Sequence, residues 1–178
     1  VQQTSDGGYI VAGYAGADIS SLQGQTPINA HSNGSNNDIL VVKLDSSGNV
    51  AWYTFGGGAG EDSASSVEQT SDGGYIVACY AEADISSLQG KTPLNAHTSG
   101  RDMLVMKLDS SGNIEWYTFM GGTGVDYAGS VQQTSDGGYI VAGSANADIS
   151  TLMGETPLNP YSGDYDMFII KLKNDGML

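Results

Sequence analysis

The sequence predicts an all-β protein built from repeated antiparallel sheets, and three observations predict it. The string VQQTSDGGYIVAG opens at Val1, returns as VEQTSDGGYIVAC at Val67 and again as VQQTSDGGYIVAG at Val131, so the chain repeats at intervals of 66 and then 64 residues. Apolar runs of strand length alternate with clusters of Asp, Asn, Ser and Gly, the residues of tight turns. No stretch carries a helical period long enough to matter.

The second unit justifies each element in order. Residues 66–70 form a short strand. Ser71-Asp72-Gly73-Gly74 is a hairpin turn, in which Asp and Gly are expected to supply positive φ. Tyr75–Ala81 is an apolar strand, followed by a polar loop of about twenty residues, 82–101. Residues 103–108 are an almost continuous apolar strand, 109–113 a second turn, and 114–119 a fourth strand carrying Trp116. A glycine-rich linker leads to the next unit.

Four antiparallel strands per unit, repeated, match the blade of a β-propeller. A β-helix or solenoid would have shorter coils without two tight hairpins in each, and a sandwich would not need such close identity between segments. The units fall at 1–66, 67–130 and 131–178, and the third lacks its fourth strand and its Trp. Three blades cannot close a ring. The expectation is a part of a longer propeller, or self-association of blades whose faces and edges are open. The chain opens on Val1 without Met or a signal sequence, as a mature product or a piece of a longer protein would.

Composition narrows the function. Six Lys+Arg stand against twenty Asp+Glu, a formal charge of −14 that repels phosphate backbones and anionic lipid, so neither nucleic-acid binding nor membrane insertion is expected. No apolar run is long enough to cross a bilayer as a helix. Cys79 is the only cysteine, which precludes an intrachain disulfide; it replaces the repeat glycines Gly13 and Gly143 and is expected to be a small buried residue. Cysteine poverty fits a secreted bacterial or archaeal protein. Asn33-Gly34-Ser35 is a single glycosylation sequon.

The string GGxGxD…SVxQTSDGGYIVAG…DxLVxKLDSSGNxxW is similar to the SBBP-type β-propeller repeats of bacterial and archaeal secreted and surface proteins. The resemblance covers essentially the whole chain. It implies a propeller and an extracellular or cell-surface location, and it names no activity.

Several positions recur in every repeat. Lys43, Lys107 and Lys171 sit in one strand position, where a lysine must be paired; the expected partners are linker carboxylates such as Asp62 and Asp126. The linkers 57–62 and 121–126 spell GGxGxD, which opens the calcium nonapeptide of β-roll proteins, but single copies cannot stack to share ions, so the glycines are read as strand connectors. The TSDGG and DSSGN turns are expected on one face, and the long loops, where a ligand would bind, on the other. Those loops are acidic and oxygen-rich and suit a hard cation such as Ca²⁺. Asp18, Asp84 and Asp148 there are expected to cap turns through side-chain bonds to backbone, or to bind ligand. His31 and His97 align with Tyr161; a zinc ligand would not tolerate that exchange, whereas an aromatic surface position stacking on a sugar would.

No Ser-His-Asp or Cys-His set can be built. A catalytic site would break the repeat symmetry, and the unmatched candidates Arg101, Tyr127 and Tyr165 form no catalytic set. The sequence therefore points to a non-enzymatic repeat module that builds surface structure or binds protein or ligand through its long-loop face. A multivalent lectin-like propeller is the alternative and a propeller hydrolase the third reading.

Overall fold

A computed structural model describes residues 1–32, 36–149, 152–159 and 161–178; the sequon at 33–35 lies outside them. The described residues are all-β. Eleven strands form three antiparallel sheets, each a simple up-and-down meander. The first sheet holds β1 (Gln2–Gln3), β2 (Tyr9–Ala15), β3 (Asp38–Leu44) and β4 (Val50–Gly56) in that order. The second holds β5 (Asp62–Gln69), β6 (Tyr75–Ala81), β7 (Asp102–Leu108) and β8 (Ile114–Met120). The third holds β9 (Asp126–Gln133), β10 (Tyr139–Ala145) and β11 (Asp166–Leu172). No barrel closes; the sheets stand as propeller-type blades. The unit boundary drawn at Val67 falls inside β5, and the sheets instead change at the linker. Residues 62–65 extend the inner strand past the expected 66–70, with a bulge between Ala64 and Ser66.

The apolar strands of the second sheet, β6 and β7, read continuously because both of their faces are covered. In β7, Leu104, Met106 and Leu108 face one cluster shared with Ile10, Ile39 and Val41 of the first sheet. Met103 and Val105 point the other way, into a cluster with Val131, Tyr139, Val141 and Ile170 of the third. Each fully buried aliphatic side chain contributes about 1.5–3 kcal/mol relative to exposure. The sheets thus hide each other's faces, and none is covered alone.

Each junction carries a tryptophan. Trp52 packs edge-on against Tyr75 of the next sheet, ring centroids 5.6 Å apart, and its Nε1–H donates to the Ser110 carbonyl at 3.3 Å. A Cβ on Gly112 would lie 2.7 Å from the Trp52 ring and from Ile28, so the DSSGN turn of one blade is seated under the Trp of the blade before it. Gly176 is held in the same way under Trp116 and Leu94.

The inner strands are stitched by a side-chain ladder. The Gln69 N–H donates to Gln2 Oε1 at 2.6 Å and the Gln133 N–H to Glu68 Oε1 at 3.1 Å. In return the Ser5 N–H donates to Gln69 Oε1 and the Ser71 N–H to Gln133 Oε1. These bonds place β1, β5 and β9 next to one another.

Candidate functional site

The meander puts the TSDGG and DSSGN turns at one end of each blade and the long loop and linker at the other. At the turn end, only the first glycine of TSDGG takes positive φ (84° at Gly73); Asp72 does not share it. The Gly73 N–H donates to the Thr70 carbonyl and the Thr70 N–H to the Gly74 carbonyl, a three-residue loop with its left-handed residue last. This frees Asp72 to accept from Thr70 Oγ1 at 2.5 Å and from the Gly74 N–H at 2.9 Å.

The repeated lysine closes on that aspartate, not on the linker. Lys43 Nζ lies 2.9 Å from Asp6, Lys107 Nζ 2.9 Å from both Asp72 and Glu115, and Lys171 Nζ 2.7 Å from Asp136. The expected pairing with Asp62 and Asp126 is therefore corrected: those carboxylates lie at the start of β5 and β9, at the opposite end of the blade. The lysine also explains the second glycine. A Cβ on Gly74 would stand against the Leu108 carbonyl oxygen and 2.5 Å from Lys107 Nζ. Hydrogen bonds from Thr4 and Lys43 hold the Asp6 carboxyl well below the usual range. At Asp72 burial opposes ionisation, but the bonds from Thr70, the Gly74 N–H and Lys107 outweigh it and pull the carboxyl to about 2. Lys107→Met is expected to move the Asp72 titration upward, which an NMR pH series on the carboxyl resonance would record.

The long loop is tied down by the same bonds in successive units. Gln23 and Gln89 take left-handed backbone (φ 50° each) in two-residue hairpins, and their Oε1 atoms accept from the N–H of Val50 and Ile114. The segment after Pro27 or Pro93 then pairs with the outer edge of the fourth strand. Ile28 and Leu94 donate to the carbonyls of Tyr53 and Tyr117, each at 2.9 Å. Asn29 Nδ2 and Asn95 Nδ2 donate to Phe55 and Phe119. Tyr117 Oη bonds the carbonyls of Ile85 (2.8 Å) and Lys91 (3.2 Å), and burial pushes its phenol up to about 12. Tyr117→Phe is expected to cost about 1–2 kcal/mol, read as a lower urea midpoint with unchanged slope.

Asp38, Asp102 and Asp166 open the third strand of each unit and accept the backbone and hydroxyl bonds of Ser32, Thr98 and Ser162. Asp62 lies beside Asp38: a Cβ on Gly57 would be 2.6 Å from the Asp38 carboxyl and 2.9 Å from Asp62 Oδ2. Gly121 separates Asp102 from Asp126 in the same way. Asp38, Asp62, Asp102 and Asp126 are all buried. Burial raises Asp62 to about 7 and the Asp38 charge adds to it, against the bond from the Gly58 N–H. Asp126 is raised for the same reasons. Oδ1 of Asp62 and Oδ1 of Asp126 have no hydrogen-bond partner among the described residues.

The aromatic position does not present a common surface ring. His31 is 3 % exposed; its Nε2–H donates to the Ala15 carbonyl at 3.2 Å, its Nδ1 faces Asp38 at 3.8 Å, and its ring packs edge-on against Phe55. His97 packs on Phe119 in the same way. Tyr161 is half-buried and donates to the Asn146 carbonyl. Asp18, Asp84 and Asp148 are exposed. Among the described residues the carboxylates of Asp18 and Asp84 bond no backbone N–H, so the expected capping is not seen there; the Tyr53 and Tyr117 hydroxyls hold the neighbouring carbonyls of Ile19 and Ile85 instead. No group of three or more His, Cys, Asp or Glu converges among the described residues.

Of the unmatched residues, Arg101 and Tyr127 meet. The Arg101 guanidinium sits between the rings of Tyr80 (4.3 Å) and Tyr127 (5.0 Å) and pairs with Glu82, which clamps the second sheet to the third. Tyr165 lies exposed on the loop before β11. Burial, followed by the charge of Asp62, pushes the Cys79 thiol far up, so it is inert. Sequence reasoning missed the glutamine ladder, the two-residue loop hairpins and the seating of the Gly112 and Gly176 turns under a Trp. The recurrence of Gln at one loop position was the signal for the hairpins.

Two hollows open in the third blade. One, of about 250 Å³, is lined by Asp148, Ile149, Asn159, Tyr161, Asp166 and Phe168. The other, of about 500 Å³, runs along β11 between Leu158, Leu152, Ile170 and Leu178.

No protein-family model matches the chain. It is similar to the regulatory protein FlaEY of Caulobacter vibrioides, 27 % identical over 165 residues that cover 92 % of this chain; the chain spans 17 % of the length of that relative.

Proposed function

We propose that this chain is a non-enzymatic extracellular repeat module of the SBBP type, which builds surface structure or binds protein or ligand through its long-loop face. The observation that carries this reading is the sameness of that face. The first two loops are tied by the same glutamine, asparagine and tyrosine bonds, and all three loops carry the Ser/Thr-to-Asp bond and an exposed aspartate, Asp18, Asp84 or Asp148. A face that repeats its chemistry suits multivalent contact or spacing. Two of the three residues that break the symmetry, Arg101 and Tyr127, are spent on joining two sheets. The lectin-like reading loses support at His31, whose buried ring offers no stacking surface. Similarity to a small part of a much longer protein also fits a module.

Three measurements test it. Light scattering across concentration is expected to show reversible self-association through the open blade faces. A glycan array probed with multivalent chain, with and without Ca²⁺, is expected to stay blank; sugar-specific hits would establish the lectin instead. Protease treatment of intact source cells is expected to remove the protein, and protection from it would refute an extracellular site.

A further inference from the structure

We propose that the linker 57–61 is a proton-operated strap: a proton held on the Asp38–Asp62 pair keeps it shut over the long-loop end of the first junction, and loss of that proton lifts it while the apolar faces beneath stay packed. On one side the strap is tied to the first blade. Asn36 Nδ2 donates to the Ala59 carbonyl at 2.6 Å, Asn37 Nδ2 to Glu61 Oε2 at 2.6 Å, and the Asp62 N–H to the Asn37 carbonyl at 2.8 Å. On the other side it lies flush against the loop of the second blade. A Cβ on Gly58 would be 3.2 Å from the Asp84 carbonyl oxygen, and one on Gly60 would be 2.8 Å from Glu82 Cβ and 3.0 Å from the Ala83 nitrogen. The strap thus spans both blades, and two fully buried carboxyl groups, Asp38 and Asp62, close on its first glycine, Gly57.

This place does not suit two charges. Ser32 already binds both Asp38 oxygens, and Asp62 Oδ2 accepts from the Gly58 N–H at 2.7 Å, but Asp62 Oδ1 has no partner among the described residues. The groups that face Asp62 are themselves acids: Asp38 at the start of β3, Glu82 after β6, Glu61 beside it on the strap and the buried Cys79 thiol of β6. His31 Nδ1 stands 3.8 Å from Asp38, beyond a hydrogen bond, and the Arg101 guanidinium is engaged by Glu82. Adjacent buried carboxylates resist double ionisation, so the closed strap keeps a proton that the open strap gives to water. Burial, with the Asp38 and Glu82 charges, raises Asp62 to about 7 accordingly. The second junction carries the same pair with one charge fewer. Asp102 and Asp126 close on Gly121, and Asp126 Oδ1 is again without a partner among the described residues. His97 lies beside Asp102, and Tyr161 feels the Asp126 charge. Asn146, however, stands where Glu82 stands, and its Oδ1 accepts the Val125 N–H of the linker. The second strap is therefore held more firmly than the first.

The test is amide exchange of the full chain in a pH series, with each rate divided by its intrinsic value. The Gly58 and Asp62 amides are expected to be less protected than Val77 and Val105 at every pH and insensitive to low urea, as a local opening is. Their protection is expected to fall about tenfold per pH unit from about pH 5 and to level off near pH 7, where the closed strap also loses its proton. Gly122 and Asp126 are expected to stay better protected than Gly58 and Asp62 throughout. Asp62→Asn, with no proton to lose, is expected to remove the pH dependence at Gly58, and Asp38→Asn to bring the levelling to lower pH. Strap amides that exchange only in step with Val77 and Val105 under urea, or an Asp62→Asn chain that still opens as the pH rises, would overturn the proposal.

Discussion

Gly74→Ala is expected to destabilise the chain by about 3 kcal/mol or more, lowering the thermal midpoint by about 10 °C. The penalty does not come from φ, since the left-handed residue of that turn is Gly73. It comes from contact: the added methyl would press on the Leu108 carbonyl oxygen and lie 2.5 Å from Lys107 Nζ. The carbonyl belongs to the end of β7 and cannot retreat without breaking the ladder with β6. The lysine can move, but only by releasing Asp72 and Glu115. Gly73→Ala supplies the comparison. Nothing stands within 4 Å of a Cβ there, so its cost is the left-handed backbone alone, about 1 kcal/mol. Circular-dichroism melts of both variants decide the order; equal losses would show that the lysine–turn contact carries no weight.

Stability is expected to peak on the acid side of neutrality, near pH 4 to 5. Burial raises Asp62 from 3.8 to about 7, so the folded chain holds a proton there that the unfolded chain releases. That contribution is complete below about pH 4 and is lost as the pH rises to about 7. The turn carboxylates act in the opposite sense. Asp72, drawn from 3.8 to about 2, contributes stability above pH 4 that is lost as the pH falls toward 2. The charge of −14 works with Asp62, because protonation relieves repulsion throughout the chain. Asp62→Asn is neutral at every pH. It is expected to raise the thermal midpoint at pH 8 by about 5 °C and to leave it nearly unchanged at pH 4. A variant whose gain is equal at both pH values would show that Asp62 is ionised in the folded chain throughout.

The blade was legible because strand period, turn residues and repeat length all point the same way. Residues 75–81 and 103–108 sit in strands, and the four-stranded order and the shared end of the two turns follow from the alternation of apolar runs and turns. What lay across from what was not legible. Lys107 has a turn carboxylate and a linker carboxylate at comparable sequence distances; only the antiparallel pairing, which sets Lys107 opposite Ile76 near the turn, selects Asp72. The second glycine of TSDGG was the missed clue, since Gly74 and Lys107 recur together as Gly8 with Lys43 and Gly138 with Lys171. His31 was read as surface because it lies in a polar loop. It is buried because that loop folds back on the outer edge of β4 and brings Phe55 against the ring.

The most direct test of sheets that stand only by leaning on one another uses the two tryptophans, one at each junction. Urea unfolding of Trp116→Phe is followed by Trp52 fluorescence, and that of Trp52→Phe by Trp116 fluorescence; each trace is compared with circular dichroism of the same variant. In each variant the fluorescence and dichroism curves are expected to coincide, with one midpoint and one slope, because opening either junction uncovers faces that no single sheet can hide. A junction signal lost well before the dichroism, with the remaining sheets still folded, would contradict it.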